Sequence, residues 1–252
     1  METPVFDFHT HAGRWGNISV SDEIDNYVSI LDAAGVDRTN LNCIFHGDAF
    51  RGNDRVARFV ETYPDRFVGV AFATPHYPEE AIPELERAFD VLGLKSLKVY
   101  PNYYQKPIDD PGYSPIFEWC DSRNITIMSH SSAGSGDNDF TEPRRFVPLA
   151  HRYSNINWVL AHSGNSRIGQ KQAIEAAQAS ANIYLETCTS FGDHNTITDL
   201  VNGAGEDRVL FGSDMPLMDA RNQVGRIVNA DISNDAKRKV LGLNAIKLLG
   251  LE

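Results

Sequence analysis

The sequence predicts a (β/α)8 barrel from three observations: the number of strand–helix units, the length of the chain and the residues after the first strand. Eight short apolar runs alternate with helical segments over 252 residues, and a single barrel of this kind commonly has about 250 residues. The alternative, an open doubly wound sheet, carries a glycine-rich phosphate loop after its first strand. Here that strand ends in His-Thr-His instead. We therefore expect one barrel domain over residues 1–252.

The eight predicted strands are short enough, and apolar enough, to be buried on both faces of a parallel sheet. The first is a Val- and Phe-rich run that ends in two histidines. The predicted strands cover residues 4–11, 40–45, 66–73, 94–100, 125–129, 156–161, 183–186 and 209–211.

Apolar residues at helical spacing predict the intervening helices, and local signals predict their ends. Ser21 or Asp22 caps the first helix, which ends at Gly35. Pro64 stops the second helix and Gly93 closes the third. The later helices are predicted at 54–63, 78–92, 114–123, 143–151, 170–180, 196–204, 222–229 and 234–249, with a long loop over 102–104.

Composition excludes some classes of function and suggests a compartment. The net charge of −11 argues against nucleic acid as a partner, because phosphates call for clustered Lys and Arg. No apolar run approaches the ~20 residues that span a bilayer, and the first residues do not resemble a signal peptide. Three widely spaced cysteines suit reduced thiols, so we expect a cytoplasmic protein without membrane association.

Polar side chains concentrate where the predicted strands end, which is where barrels of this type build their active sites. His9 and His11 stand two residues apart on a strand, so their imidazoles point the same way and can chelate a divalent metal. Six of the eight histidines fall at strand ends. The full set is His9, His11, His46, His76, Lys98, Tyr100, His130, His162, Glu186 and Asp214.

Each of these residues alone also has a purely structural interpretation. His46 and His76 stand in loops and are as compatible with the surface as with a pocket. His130 and His162 could be hydrogen-bonded core histidines, and Asp214 could cap a helix. Together they form an imidazole–carboxylate cluster able to hold a metal with an open position, consisting of His9, His11, His130, His162 and Asp214.

Four motifs in this order resemble the amidohydrolase superfamily: DFHTH, SHSS, LAHSG and LFGSDMP, after predicted strands 1, 5, 6 and 8. The resemblance covers the whole chain. It points to the branch that includes aminocarboxymuconate-semialdehyde decarboxylase and γ-resorcylate decarboxylase. It implies one divalent ion, zinc in the first place and manganese, iron or cobalt as alternatives. The implied ligands are His9, His11, His130 and Asp214, with Asp214 also moving a proton and His162 beside the water or substrate.

Lys98 leaves two alternatives open. Two-metal members of the superfamily carry a carboxylated lysine at the end of strand 4, and His130 and His162 would then bind a second metal. In the single-metal branch, which we favour, Lys98 orients substrate. It could also form an ion pair with Glu186 or Asp214.

Loops on the same face supply candidate substrate-binding residues. An arginine beside a tryptophan, as in Arg14 and Trp15, suits a carboxylate attached to an apolar body, although packing between loops is equally compatible. The candidates are Arg14, Trp15, His46, His76, Tyr100 and Asn102.

The first functional hypothesis is a metal-dependent hydrolase that cleaves an amide, ester or lactone bond of a small, carboxylated substrate through an activated water. The alternative is a metal-dependent non-oxidative decarboxylase of an aromatic or muconate-type acid. The chain is short for those decarboxylases, which favours the hydrolase. A third hypothesis is an inactive barrel that binds a partner, which the complete set of expected ligands disfavours. The resemblance also suggests a homodimer.

Overall fold

Eight parallel strands in sequence order form the barrel wall, which confirms the predicted fold. The computed structural model describes residues 3–13, 23–46, 48–134, 139–193 and 195–251. Backbone hydrogen bonds close the wall between the last strand and the first: the Phe8 amide donates to Phe211 O at 2.8 Å and the His11 amide to Met215 O at 2.7 Å. The strands are β1 Phe6–His11, β2 Arg38–Asn42, β3 Phe67–Phe72, β4 Ser96–Val99, β5 Ile127–His130, β6 Trp158–Ala161, β7 Ile183–Glu186 and β8 Val209–Leu210.

Helices follow the strands and pack against them. A π-helical turn at Arg87–Val91 continues α3, and another at Lys239–Leu243 joins the last two helices. The α-helices are α1 Ile24–Ala34, α2 Ala49–Thr62, α3 Pro78–Glu86, α4 Pro101–Tyr104, α5 Ser114–Ser122, α6 Phe146–Arg152, α7 Arg167–Ala179, α8 Thr196–Ala204, α9 Ala220–Val228, α10 Asn234–Arg238 and α11 Asn244–Leu249. Within the described residues, no helix has both the length and the apolar character needed to cross a membrane.

The boundaries differ from the prediction where a side chain or the sheet register decides them. Helix α2 starts five residues before its predicted start, because the Asp48 side chain accepts a hydrogen bond from the Arg51 amide at 2.9 Å and caps the helix there. Strand β2 runs earlier than predicted, since Phe6 of β1 pairs with Arg38. Residues 102–104, which were predicted as a loop, belong instead to the short helix α4, which begins at Pro101. Ser21 and Asp22, the predicted caps of α1, lie outside the described residues.

Two apolar clusters hold the strands in place. The larger one lies between strands and helices and includes the fully buried rings of Trp158, Phe117 and Phe146. The smaller one joins residues of β1, β3, β5, β6 and β8 to α11. Because protein interiors are close-packed, these clusters give the strand ends little freedom to shift. Side chains at those ends therefore occupy fixed relative positions.

Candidate active site

A cavity of about 340 Å³ lies at the carboxyl ends of the strands. Five strand ends supply its chemically active groups, and all of these side chains are largely buried. The lining residues are His9, His11, Lys98, Tyr100, His130, His162, Asn165, Ser190, Asp214, Leu217 and Met218. The structure thus brings together the four ligands suggested by the resemblance, Lys98 and the histidine expected beside them.

Three of the lining side chains form a compact group able to hold a metal ion: His9, His11 and Asp214. The Nε2 atoms of His9 and His11 are 3.0 Å apart. Asp214 Oδ1 is 3.0 Å from His11 Nε2 and 3.6 Å from His9 Nε2. Ligand atoms of a tetrahedral zinc ion are about 3.3 Å apart, given bonds of ~2.0–2.1 Å. The donor types and their spacing therefore fit a divalent ion.

Two further histidines complete this side of the cavity. The ring centroids of His130 and His162 lie 4.8 Å apart, and the His9 ring is 5.2 Å from that of His162. His162 Nδ1 lies 3.0 Å from Cys188 O, and since a carbonyl only accepts, Nδ1 carries the proton. Burial lowers the pKa of His162 to about 3, so the ring is neutral. Its Nε2 consequently keeps a lone pair. His130 lines the cavity but does not belong to the compact three-residue group.

Glu186 at the end of β7 is fully buried beneath the metal-ligand candidates. Its Oε2 lies 3.0 Å from His9 Nδ1 and accepts a hydrogen bond from the His162 amide at 3.1 Å, and its Oε1 accepts one from the Cys188 amide. Gly212 makes room for this carboxylate, because a Cβ there would stand 2.3 Å from Glu186 Oε1 and 2.9 Å from His9 Cβ. Burial raises the pKa of Glu186 to about 8, opposed by the two backbone N–H groups.

A second group of donor atoms also lies close together: those of His9, His162, Glu186 and Cys188 fall within 4.8 Å of one another. Three of these residues already use such atoms within the protein: His9 Nδ1 contacts Glu186 Oε2, and His162 Nδ1 donates to Cys188 O. Burial raises the pKa of Cys188 well above its ordinary value, which disfavours the thiolate that metals bind. His9, His11 and Asp214 therefore form the stronger candidate for a metal position.

Lys98 is fully buried, and its Nζ lies 3.0 Å from His9 Nε2. Burial lowers the pKa of Lys98 to about 8, while Asp214 and Glu186 oppose the shift. The ion pair considered from the sequence is thus a longer-range electrostatic interaction, and the direct contact is with a histidine. An ammonium can only donate, so this contact places a lone pair on His9 Nε2.

Three lining residues adopt the left-handed backbone conformation that non-glycine residues seldom adopt: His162 with φ 65°, Asn165 with φ 49° and Asp214 with φ 58°. The Asp214 amide donates to His9 O at 2.8 Å, which ties the segment after β8 to β1. Burial alone would raise the pKa of Asp214, but the hydrogen bond from His11 and the positive charge of Lys98 outweigh it and hold the pKa below its usual value. Strain of this kind clusters at functional sites.

The predicted substrate-binding residues fall into four groups. Tyr100 lines the cavity, with its ring centroid 5.3 Å from that of His130. His76 is exposed and its Nε2 donates to Tyr103 O at 3.0 Å, so it joins the segment after β3 to α4. His46 and Asn102 are partly buried and, within the described residues, are not among those that line the cavity. Arg14 and Trp15 lie outside the described residues.

Four lining residues were not predicted: Asn165, Ser190, Leu217 and Met218. Asn165 stands three residues after His162, and its Oδ1 accepts a hydrogen bond from Thr189 Oγ1 at 2.6 Å. Leu217 and Met218 follow Asp214 by three and four residues. Their position just after strand-end motifs was the available signal.

The sequence model of one protein family, described as amidohydrolase, matches residues 7–251. The chain belongs to the amidohydrolase family. This confirms the resemblance found in the motifs and makes the protein an enzyme of the amidohydrolase superfamily, whose members generally bind a divalent metal.

Several proteins similar to this amidohydrolase carry names of decarboxylases. The 2-amino-3-carboxymuconate-6-semialdehyde decarboxylase of Dictyostelium discoideum is 25% identical over 239 residues, and the match covers 79% of this chain and 66% of that protein. The structure of 5-carboxyvanillate decarboxylase from Sphingomonas paucimobilis superposes with a TM-score of 0.79 at 18% identity and covers 100% of both chains. A 5-carboxyvanillate decarboxylase of Novosphingobium aromaticivorans with bound manganese has a TM-score of 0.72 at 19% identity, over 89% of this chain and 80% of that one.

Proposed function

We propose that this amidohydrolase is a metal-dependent decarboxylase that releases CO2 from an aromatic or muconate-type carboxylic acid without an oxidant. The observation that carries the proposal is the similarity to a decarboxylase of a carboxymuconate over 79% of the chain. The hydrolase predicted first uses the same ligands, so the site does not favour it over a decarboxylase. A cytoplasmic location and a homodimer complete the proposal, and three buried free cysteines suit a reducing compartment.

The reaction has a simple balance. The bond between the substrate carbon and its carboxylate breaks, the electron pair stays on that carbon and CO2 leaves. One proton from solvent then reaches the carbon, so RCOO⁻ and H⁺ give RH and CO2. The enzyme must stabilise the negative charge on the substrate while it develops, and must deliver the proton to one atom.

The residues of the cavity suit these tasks. A divalent ion held by His9, His11, His130 and Asp214 would supply a Lewis acid for a substrate oxygen. Lys98 adds the positive charge of a buried ammonium beside His9. Asp214 carries a carboxylate that can accept and return a proton, and His162 offers a neutral Nε2 for orienting the substrate.

The walls of the cavity fit a planar acid. Leu217 and Met218 contribute apolar surface and Tyr100 an aromatic ring, while Asn165 and Ser190 add polar groups. Pockets for small molecules commonly combine apolar walls with a few placed polar groups. We assign the ring or diene of the substrate to the apolar part.

We expect the metal-loaded protein to release CO2 from at least one of 2-amino-3-carboxymuconate-6-semialdehyde, 5-carboxyvanillate and γ-resorcylate. In D2O the product should carry one deuterium at the carbon that lost CO2, because the proton comes from solvent. Gas analysis measures the released CO2, and mass spectrometry measures the deuterium in the product. Cleavage of ester, amide or lactone substrates with ¹⁸O from labelled water in the product, and no CO2 from any acid, would instead establish the hydrolase.

We expect about one divalent ion per chain when the protein is purified without added metal or chelator, since the structure groups three ligand side chains around one position. Elemental analysis measures the content, and the same preparation shows whether zinc or manganese is bound. About two ions per chain, together with a mass increase of one CO2 on Lys98, would establish the two-metal alternative.

A further inference from the structure

We propose that Glu186 is a positioning residue and that the segment from Glu186 to Cys188 fixes the tautomers of two histidines, so that both turn a lone pair on Nε2 toward the cavity. The inference rests on the metal site of the proposed function but not on which reaction is catalysed. Strand β7 contributes no metal ligand in our assignment. Its role would be to orient the groups that other strands supply.

The first histidine is His9. Metal binding through Nε2 requires the ring proton on Nδ1, and that proton needs an acceptor. Glu186 Oε2 is that acceptor, at 3.0 Å. The ring is fully buried, so bulk water does not reach it. Lys98 Nζ, a donor 3.0 Å from His9 Nε2, is consistent with the same tautomer.

The second histidine is His162, and here the backbone does the orienting. Its Nδ1 donates to Cys188 O at 3.0 Å, while its own amide donates to Glu186 Oε2 at 3.1 Å. The Cys188 amide donates to the other oxygen of the carboxylate. A single carboxylate therefore fixes the His9 ring, the backbone of His162 and the segment that holds the His162 ring.

The arrangement requires two acceptor oxygens at once, which explains why a carboxylate stands there. Oε2 has two N–H neighbours and Oε1 has one. A glutamine would place an NH2 group against one of these donors. Gly212 shows that the fold accommodates the carboxylate closely, since a Cβ at that position would stand 2.3 Å from Glu186 Oε1.

The test compares the wild type with Glu186→Gln in two measurements. Titration of the metal-free protein with Co²⁺ should show a 10- to 100-fold weaker affinity, about the effect typical of lost partners of metal-bound histidines. Histidine ¹⁵N NMR of the metal-free wild type should show Nδ1 protonated and Nε2 unprotonated in both His9 and His162. In the variant, we expect the His9 signals to move toward the other tautomer.

Two further variants distinguish the positioning role of Glu186 from a general effect of losing a buried carboxylate and from metal binding by the Cys188 sulfur. Glu84→Gln removes another buried carboxylate, which binds Asn53 and Arg87 away from the cavity; it should leave the Co²⁺ affinity unchanged even if stability falls. Cys188→Ser keeps the backbone groups that do the orienting, so Co²⁺ affinity should again persist.

Three results would overturn the proposal. A wild-type His9 with its proton on Nε2 would do so without any variant. Co²⁺ affinity of Glu186→Gln within twofold of wild type would do so directly. Loss of Co²⁺ binding in Cys188→Ser would instead support the group of four donors that includes its sulfur. None of these readouts depends on the reaction, so failure of the decarboxylase assay leaves them interpretable.

Discussion

Replacing Asp214 by asparagine should lower kcat by a factor on the order of 10³ while the metal content stays largely intact. Asparagine keeps the size and a carbonyl oxygen that can still face His11 Nε2, now 3.0 Å from Oδ1. It cannot accept or return a proton. Steady-state kinetics on the best substrate of the CO2 assay measures kcat. Elemental analysis of the same sample measures the metal content.

A loss of kcat without a loss of metal is what identifies a proton-transfer role for Asp214. A variant that loses turnover and metal together would show that Asp214 acts only as a ligand. Near-normal turnover would remove it from the chemistry. His151→Ala is a suitable control for handling and folding, because His151 is exposed and lies outside the cavity.

Replacing His9 and His11 together by alanine should remove the metal almost completely, from about one ion per chain to near zero. The loss is expected because these two imidazoles and Asp214 form the compact ligand group, and one carboxylate with His130 offers too few donors for tight binding. Elemental analysis after dialysis measures the content. Circular dichroism and thermal unfolding show whether the barrel persists.

Stoichiometric metal in a folded double variant would contradict the assigned ligand set. The metal would then lie elsewhere, and the other donor group could not explain it either, because that group also contains His9. Conversely, a variant with no metal and a native unfolding profile shows that the ion serves chemistry rather than folding.

The fold and the residues gathered at the site could be predicted because a parallel barrel converts chain order into geometry. Each strand ends on the same face, so His9, His130 and Asp214 meet although they are far apart in sequence. Burial on both faces makes the strands continuous apolar runs, which are easy to recognise. Boundaries such as the start of α2 depended on a single capping contact of Asp48, which hydrophobic periodicity does not register.

The remainder of the site depends on how loops pack. Leu217 and Met218 reach the cavity through the path of the chain after Asp214, and His76 instead contacts α4 through Tyr103. Sequence patterns do not encode such paths. The role proposed for Glu186 could not be predicted for a related reason. Glu186 binds other residues of the site and not a ligand, and its partners are His9 of β1 and the amide of His162 just after β6.

Chain length was a weak guide to the choice of reaction. Shortness favoured a hydrolase over a decarboxylase, yet the superposition with 5-carboxyvanillate decarboxylase covers 100% of both chains. Overall length says little about chemistry when both reactions use the same ligands on the same strand ends. The names of similar proteins, rather than the spacing of motifs, are what favour the decarboxylase that we propose.

The closure of the barrel has a consequence for how the protein matures. Two of the proposed ligands stand on β1 and Asp214 follows β8, on either side of the seam where the Asp214 amide donates to His9 O and the His11 amide to Met215 O. Roughly two hundred residues are thus synthesised after the histidines of β1 before the Asp214 carboxylate can join them. An ion that binds there spans the join and stabilises the closed form according to its concentration. The metal concentration would then set how often the contact between β1 and the segment after β8 opens. Amide hydrogen exchange at His11 and Asp214 should therefore slow when metal is added.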